Sequence, residues 1–327
     1  MPHNRRPPRP ATPPRIVVVG SVNMDLVANV PRLPAPGETL TGTTFHTFPG
    51  GKGANQAVAA AKLGANTTLI ARVGDDAFAK TLLANLRTQK VNVRHVRHVP
   101  NTSSGVAVIA VDPSGQNAIT IIPGANARLR PADIRARETT IAQADALLLQ
   151  LEIPLDTAHT AIRIARRHKV LTVLDPAPVP PDGLPPSWKN LGIDILSPNE
   201  TEAAQLAGLP CSRNRDAVAC LDAILLQTAA TLAILKRGHR GALLHALAAP
   251  CFFPPFPVKP VDTTAAGDAF TAALTVRLCE PSTTLGDAIH FANAAGALAT
   301  TRHGAQASMP SRSEVDALVR NHPLPQP

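Results

Sequence analysis

The chain has 327 residues, 44% of them hydrophobic and only 3% aromatic, with a formal net charge of +9 at pH 7. This is ordinary for a single α/β enzyme with a sizeable core. No run of about 18 uncharged apolar residues occurs, so neither a transmembrane helix nor a membrane partner is expected. The positive charge would allow nucleic-acid binding, but Lys and Arg are scattered and no basic helix or stacking motif occurs; no nucleic-acid partner is expected.

Residues 1–14 are rich in Pro and Arg and read as a disordered tail. They lack the apolar centre of a signal peptide. Being Arg-bearing and acid-free they leave a transit role open, although their prolines speak against an amphipathic helix. Residues 15–20 (RIVVVG) read as a buried first strand of a parallel sheet. Asn23 and Asp25 follow at its carboxyl end, where ligands of open α/β sheets bind. An amide and a carboxylate two residues apart suit a polyhydroxylated ligand; an Asx turn leaving the strand is the plain alternative. Extended segments at 27–30 and 38–48, and a hairpin-like pair at 105–111 and 116–122 around Asp112-Pro113-Ser114-Gly115, interrupt the strand–helix alternation. They read as a small four-stranded sheet acting as a lid.

Pro49-Gly50-Gly51-Lys52-Gly53-Ala54-Asn55-Gln56 runs into an Ala-rich helix at 54–63 closed by Gly64. The glycine pair allows close approach of backbone to a ligand, and the spacing is not that of a Walker A loop. Asn55 is either a ligand contact or a surface helix residue. Strand 67–73, helix 76–89 and strand 146–151 follow, the last with Glu152 at its carboxyl end, repeating the logic of Asp25. Strand 170–174 leads to Asp175-Pro176-Ala177-Pro178, and strand 193–196 to Ser197-Pro198-Asn199-Glu200-Thr201-Glu202. Asn199 and Glu202, three apart at a helix start, can face one spot and position hydrated Mg²⁺; a capping box has the same spacing. Strand 231–236 ends in Arg237-Gly238-His239-Arg240-Gly241, a turn suited to phosphates or a plain hairpin.

The organising stretch is Val261-Asp262-Thr263-Thr264-Ala265-Ala266-Gly267-Asp268-Ala269-Phe270. Small residues leave backbone N–H groups bare where a helix over 269–278 begins, and such a turn can hold an anion or the charge of a phosphoryl group in flight. Asp268 could take a proton from a hydroxyl there, or merely cap the helix. An Ala-rich helix at 288–300 then leads to Thr301-Arg302-His303-Gly304-Ala305-Gln306-Ala307-Ser308. Cys211, Cys220, Cys251 and Cys279 show no close metal-ligand spacing, and reduced thiols in a cytoplasmic protein are expected. No internal repeat is present. One α/β domain at 15–320, with lid strands from about 27–48 and 105–122 and a tail at 321–327, is the coarse organisation.

With these residues in view, the chain resembles the ribokinase family, the phosphofructokinase-B group of sugar kinases, from about residue 15 to about 318. Two long motifs carry the resemblance, Gly50-Gly51-Lys52-Gly53-Ala54-Asn55-Gln56-Ala57 with Gly64 and Gly74, and Asp262-Thr263-Thr264-Ala265-Ala266-Gly267-Asp268. Residues 20–25, Gln150-Leu151-Glu152 and residues 197–202 add independent matches. The resemblance implies a central, mainly parallel sheet flanked by helices, plus a four-stranded β lid through which a homodimer forms. It implies ATP-dependent phosphorylation of the 5-hydroxyl of D-ribose; a kinase for deoxyribose or a nucleoside, and a sugar-binding regulator without catalysis, are the alternatives. By motif, Asn23, Asp25, Gly51, Lys52, Asn55 and Glu152 would bind the pentose, Asp268 would be the general base, and Ala265, Ala266 and Gly267 would form the anion hole. Asn199 and Glu202 would serve the Mg-ATP end, Gly238 and Gly241 would flank the nucleotide phosphates, and Asn293 would lie near adenine. The family also implies a K⁺ site made by the Asp262 carboxylate, the carbonyls of Thr264, Ala299, Arg302 and Gly304, and the Ser308 hydroxyl. Lys236 departs from the pattern, since a Thr is usual there; it would pair with ATP phosphates or point away.

Overall fold

Alternation along a short apolar run fixes the architecture. In the computed structural model, which describes residues 12–246 and 249–324, Ile16 and Val18 of the first strand join one apolar core while Val17 and Val19 join another. Successive side chains of a strand point to opposite faces, so this strand must be covered on both sides, as in parallel sheets.

The strands are β1 (Arg15–Val19), β2 (Asn23–Asn29), β3 (Thr44–Gly50), β4 (Asn66–Val73), β5 (Asn92–His98), β6 (Gly105–Val111), β7 (Asn117–Ile122), β8 (Ala146–Leu149), β9 (Leu171–Leu174), β10 (Ile195–Leu196), β11 (Leu232–Lys236), β12 (Ala242–His245) and β13 (Cys251–Phe253). The helices are α1 (Lys52–Lys62), α2 (Ala77–Thr88), α3 (Pro131–Arg135), α4 (Glu138–Ala142), α5 (Leu155–Arg167), α6 (Glu200–Ala207), α7 (Asn214–Thr228), α8 (Ala266–Leu278), α9 (Leu285–Ala299) and α10 (Arg312–Asn321). Nine strands form the main sheet in the order β13-β12-β11-β10-β9-β8-β1-β4-β5, parallel except for the antiparallel pairs β11–β12 and β12–β13. Helices α1, α2, α8, α9 and α10 contribute to the core on one face, and α3 to α7 to the core on the other. The other sheet has the order β3-β2-β6-β7. The expected architecture, a mainly parallel sheet between helices plus a four-stranded sheet, is the one observed.

Several boundaries differ from expectation. Asn23 and Asp25 do not lie in a turn leaving β1; they open β2, where Asn23 sits between Gly50 of β3 and Gly105 of β6. Asn and Asp are poor strand residues, and pairing on both sides overrides that weak preference. The small sheet thus starts at Asn23 rather than 27, and its second strand at Thr44 rather than 38. The expected turn between β6 and β7 is present: Asp112 Oδ1 accepts from the N–H groups of Ser114 (2.8 Å) and Gln116 (3.1 Å). Helix α8 starts at Ala266, earlier than 269, from Ala265 in a left-handed conformation (φ 59°). β5, β13, α3, α4, α5, α7 and α10 have no counterpart among the expected elements. Of the expected tails at 1–14 and 321–327, residues 1–11 and 325–327 lie outside the described residues; Pro14 is buried with its carbonyl accepting from Asn66 N (2.8 Å), and α10 continues to Asn321.

Candidate active site

Strands β1, β8, β9 and β11 all deliver polar residues at their carboxyl ends, and the first turns of α1 and α8 meet them there. Helix α1 begins at Lys52 because Gly51, at φ 87°, turns the chain sharply out of β3. A Cβ at Gly50 would stand 2.1 Å from Asp25 Oδ2. Only glycine there lets the Asp25 carboxylate lie against the turn.

Asp268 occupies the first turn of α8 and is almost wholly buried. Asn55 Nδ2 donates to its Oδ2 (3.0 Å) and Gln56 Nε2 to its Oδ1 (2.9 Å). Gln56 Nε2 also donates to Asp175 Oδ2 (2.9 Å), and the Gln56 carbonyl oxygen accepts from Gln150 Nε2. Burial pushes the Asp268 carboxyl up to about 6; Lys52 pulls it down, Asp175 pushes it up, and the two amide donors stabilise its ionised form. Asn55 Oδ1 is buried with no partner among the described residues. The Ala266 N–H donates to Thr263 O at 3.3 Å. Gly267 and Asp268 are the next positions of the helix, where N–H groups have no partner inside it.

The residues expected to grip a sugar converge. Glu152 Oε2 accepts from Ser21 Oγ (2.5 Å), the Lys52 backbone N–H (3.1 Å) and Asn23 Nδ2 (3.5 Å). Asn126 Nδ2 donates to Asn23 Oδ1 (2.7 Å). Burial, then the charges of Glu152 and Asp268, drive the Asp25 carboxyl up to about 7. Burial opposes the charge of the Lys52 ammonium, but Asp268, Asp175, Glu152 and Glu202 outweigh it and raise its pKa above the ordinary value.

At the other end, Asn199 and Glu202 form the capping box of α6: Glu202 donates its N–H to Asn199 Oδ1 (2.8 Å) while its carboxylate accepts from Asn199 N (2.7 Å) and Nδ2 (2.9 Å). Burial raises the Glu202 carboxyl, while Lys236 lowers it and Asp175 raises it, which places all three groups in one electrostatic neighbourhood. Lys236 Nζ donates to Asp175 Oδ1 (2.8 Å). Gly238 (φ 54°) and Gly241 (φ 79°) bound the following turn, and a Cβ at Gly241 would meet Phe253 O at 2.0 Å. Asn293 Nδ2 donates to Pro254 O (3.3 Å).

The expected ion site lies between two loops. Asp262 Oδ1 accepts from Thr264 N and Oδ2 from Gly304 N, both at 2.9 Å, while Thr300 O accepts from Val261 N and Asp262 N. Ser308 Oγ donates to Ala305 O (2.9 Å). Among the described residues no group of three His, Cys, Asp or Glu side chains is arranged to hold a metal.

Gln56, Asp175, Gln150 and Asn126 were given no individual role by the sequence. For Asp175 the signal was available, since it ends a buried strand just as Glu152 does. Gln56 lies inside the Gly50–Ala57 motif, one residue past Asn55, and the motif alone does not tell which of the two amides meets the base.

A mainly parallel sheet with a buried Asp at a helix start on its ligand side, and a small second sheet beside it, suits phosphoryl transfer to a small hydroxylated molecule, which needs chiefly positioning and charge stabilisation. Residues 13–312 match the pfkB family carbohydrate kinase, and the chain belongs to that family. It is 39% identical to a ribokinase of Bacillus subtilis over 93% of this chain and 99% of that protein. It is 37% identical to a deoxyribokinase of Salmonella typhi over 90% and 95%. A bifunctional ribokinase/ribose-5-phosphate isomerase A of Fructilactobacillus sanfranciscensis is 38% identical, and the match spans 55% of that protein's length. Among solved structures, Arabidopsis thaliana ribokinase complexed with ribose and ATP superposes with a TM-score of 0.84 at 34% identity, covering 94% of this chain and 99% of that one.

Proposed function

We propose that this sugar kinase transfers the γ-phosphoryl group of ATP to the 5-hydroxyl of D-ribose. The observation that carries this reading is the pairing of Asp268 with Asn55 at the start of α8. The amide stabilises the carboxylate and leaves its own Oδ1 as a buried acceptor for a substrate hydroxyl. Asp268 takes the hydroxyl proton, the hydroxyl oxygen bonds to phosphorus, the β–γ bridging bond breaks, and ADP leaves with the bond electrons. The N–H groups of the turn at Ala265 and Gly267 meet the charge on the moving group, joined by Ala266, whose N–H exchanges its long 3.3 Å bond to Thr263 O for the phosphoryl oxygen. Asn23, Asp25 and Glu152 hold the hydroxyls that do not react, with Gly51 and Lys52 shaping that side. Asn199, Glu202, Gly238, Gly241 and Asn293 serve the nucleotide.

Mg²⁺ fits the Glu202 side of the site. Each Glu202 oxygen accepts one hydrogen bond and keeps a lone pair, enough to orient an ion that retains its water. When bound, the ion neutralises phosphate charge. A monovalent cation such as K⁺ fits the Asp262 loop for a related reason: the carboxylate accepts from Thr264 and Gly304 and still has lone-pair capacity beside loops rich in carbonyls. Thr264, Ala299, Arg302, Gly304 and Ser308 supply the remaining oxygens of that proposal.

The small sheet acts as lid and dimer surface. Phe45, Val108, Ile119, Ile121 and Ile122 leave large apolar side chains in water, and a second copy of the chain is the partner that covers them. None of the four cysteines is in a disulfide, which supports a cytoplasmic location, and no helix of the described residues is long and apolar enough to cross a membrane. A coupled assay of ADP release against ribose, deoxyribose, other pentoses and nucleosides tests the reading. Ribose as the best substrate is expected; preference for deoxyribose or a nucleoside overturns the specificity.

A further inference from the structure

Lys236 ends β11, and its side chain runs past the turn that begins α8. A Cβ built on Gly267 would stand 3.5 Å from Lys236 Nζ and 3.8 Å from its Cδ and Cε. The side chain is only 10% exposed, and Nζ donates to Asp175 Oδ1 at 2.8 Å. An ammonium carries three donors. The other two have no acceptor among the described hydrogen bonds, in a place largely closed to water. Buried donors without acceptors are costly, and ligand oxygens arriving beside Gly267 remove that cost.

Asp175 is itself 2% exposed at the side chain. Its second oxygen accepts from Gln56 Nε2, and the same nitrogen donates to Asp268 Oδ1, both at 2.9 Å. Gln150 donates to the Gln56 carbonyl oxygen and so fixes which way round the Gln56 amide lies. The series Lys236–Asp175–Gln56–Asp268 is therefore continuous, with a cation at one end, the base at the other, and a donor facing an acceptor at each of its three links.

We propose that Asp175 is a positioning residue for both ends of the reaction: it holds the Lys236 ammonium beside Gly267 to bind the oxygens of the transferring phosphoryl group, and through Gln56 it holds Asp268 toward the acceptor hydroxyl. This rests on the sugar-kinase reading and deepens it. The chain thus carries a built-in positive charge at its anion turn. The competing account is a buried ion pair that only supports folding.

Three full-length variants separate the two, Asp175→Asn, Lys236→Met and the double variant, each measured for kcat, KM for ATP, sugar and ADP affinity by calorimetry, and Tm. Asn at 175 cannot accept from both Lys236 and Gln56, and Met at 236 cannot donate. Each single variant is expected to lose kcat by about 10²-fold and to bind ADP more weakly, with sugar affinity within about twofold of wild type. Removing both charges returns Tm toward wild type, since no buried charge is left unpaired, while kcat stays low because the cation is missing. Recovery of kcat together with Tm in the double variant overturns the proposal, as do folded single variants with wild-type kcat. The assays use whichever sugar the wild type turns over, so failure on ribose alters the substrate assignment and leaves this test readable. If no sugar is turned over, the kinase reading fails by itself, and unchanged ADP affinity in Lys236→Met then overturns the phosphate role.

Discussion

Asn55 donates to Asp268 across 3.0 Å and keeps its own carbonyl oxygen buried and unpartnered. One amide therefore does two jobs, holding the base ionised and offering an acceptor beside it. If Asp268 takes the proton, Asp268→Asn lowers kcat by about 10²–10⁴-fold with little change in ribose affinity. Steady-state kinetics beside calorimetry checks this, and a variant keeping most of its kcat reduces Asp268 to a helix cap.

The site's carboxylates set opposite pH trends for activity and stability. Asp268 and Asp25 are raised from 3.8 to about 6 and about 7, chiefly by burial. The base must be ionised, so kcat/KM falls as pH drops through about 6. Both groups hold protons more tightly folded than unfolded. Between their unfolded and folded pKa values the native state thus binds more protons, and their contribution to stability declines as pH rises. Ligand-free Asp25→Asn should melt above wild type at about pH 8, with the gap closing below about pH 4. An equal gap at both ends of a Tm-against-pH series refutes the assignment to Asp25.

Sugar specificity follows from unpaired charge. Asp25 and Glu152 lie among buried groups, and a substrate lacking a hydroxyl they bind leaves a carboxylate unsatisfied, at a cost of about 1–3 kcal/mol or more. Ribose is thus expected to exceed deoxyribose in kcat/KM by about tenfold or more. Equal use of the two sugars contradicts it.

Activity should depend on the monovalent cation. Asp262 already ties the Thr264 and Gly304 loops together, and an ion there would brace the anion turn, raising kcat more than ribose affinity. The comparison is K⁺, Na⁺ and a bulky organic cation at constant ionic strength, in wild type and Asp262→Ala. Indifference of the wild type to the cation removes the ion site and leaves Asp262 as a loop clasp.

The small sheet offers the assembly test. Ile119 and Ile121 on β7 are 54% and 43% exposed. Charged replacements, Ile119→Asp with Ile121→Asp, are expected to convert a dimer to a monomer in sedimentation velocity. A wild type already monomeric at about 10 µM argues against the interface, given that stable dimers dissociate well below this.

What the sequence determined by itself was local. RIVVV reads as a buried strand of a parallel sheet, the Gly50-Gly51 pair as a place where backbone approaches a ligand closely, and acids at strand ends mark the ligand side of an open sheet. Asn199 and Glu202 show the limit of such signals, since their spacing served both a cap and a metal role, and the cap is satisfied by geometry alone. Only the tertiary structure decided which distant groups share a proton or a charge. Gln56 lies 119 residues from Asp175 and 212 from Asp268, and nothing in their local sequence pairs them. The parallel order of β8, β9, β10 and β11 puts their carboxyl ends in one row. That row sets Lys236 against Asp175 and leaves Gln56 between two carboxylates, because crossovers in a parallel sheet return every strand to the same end.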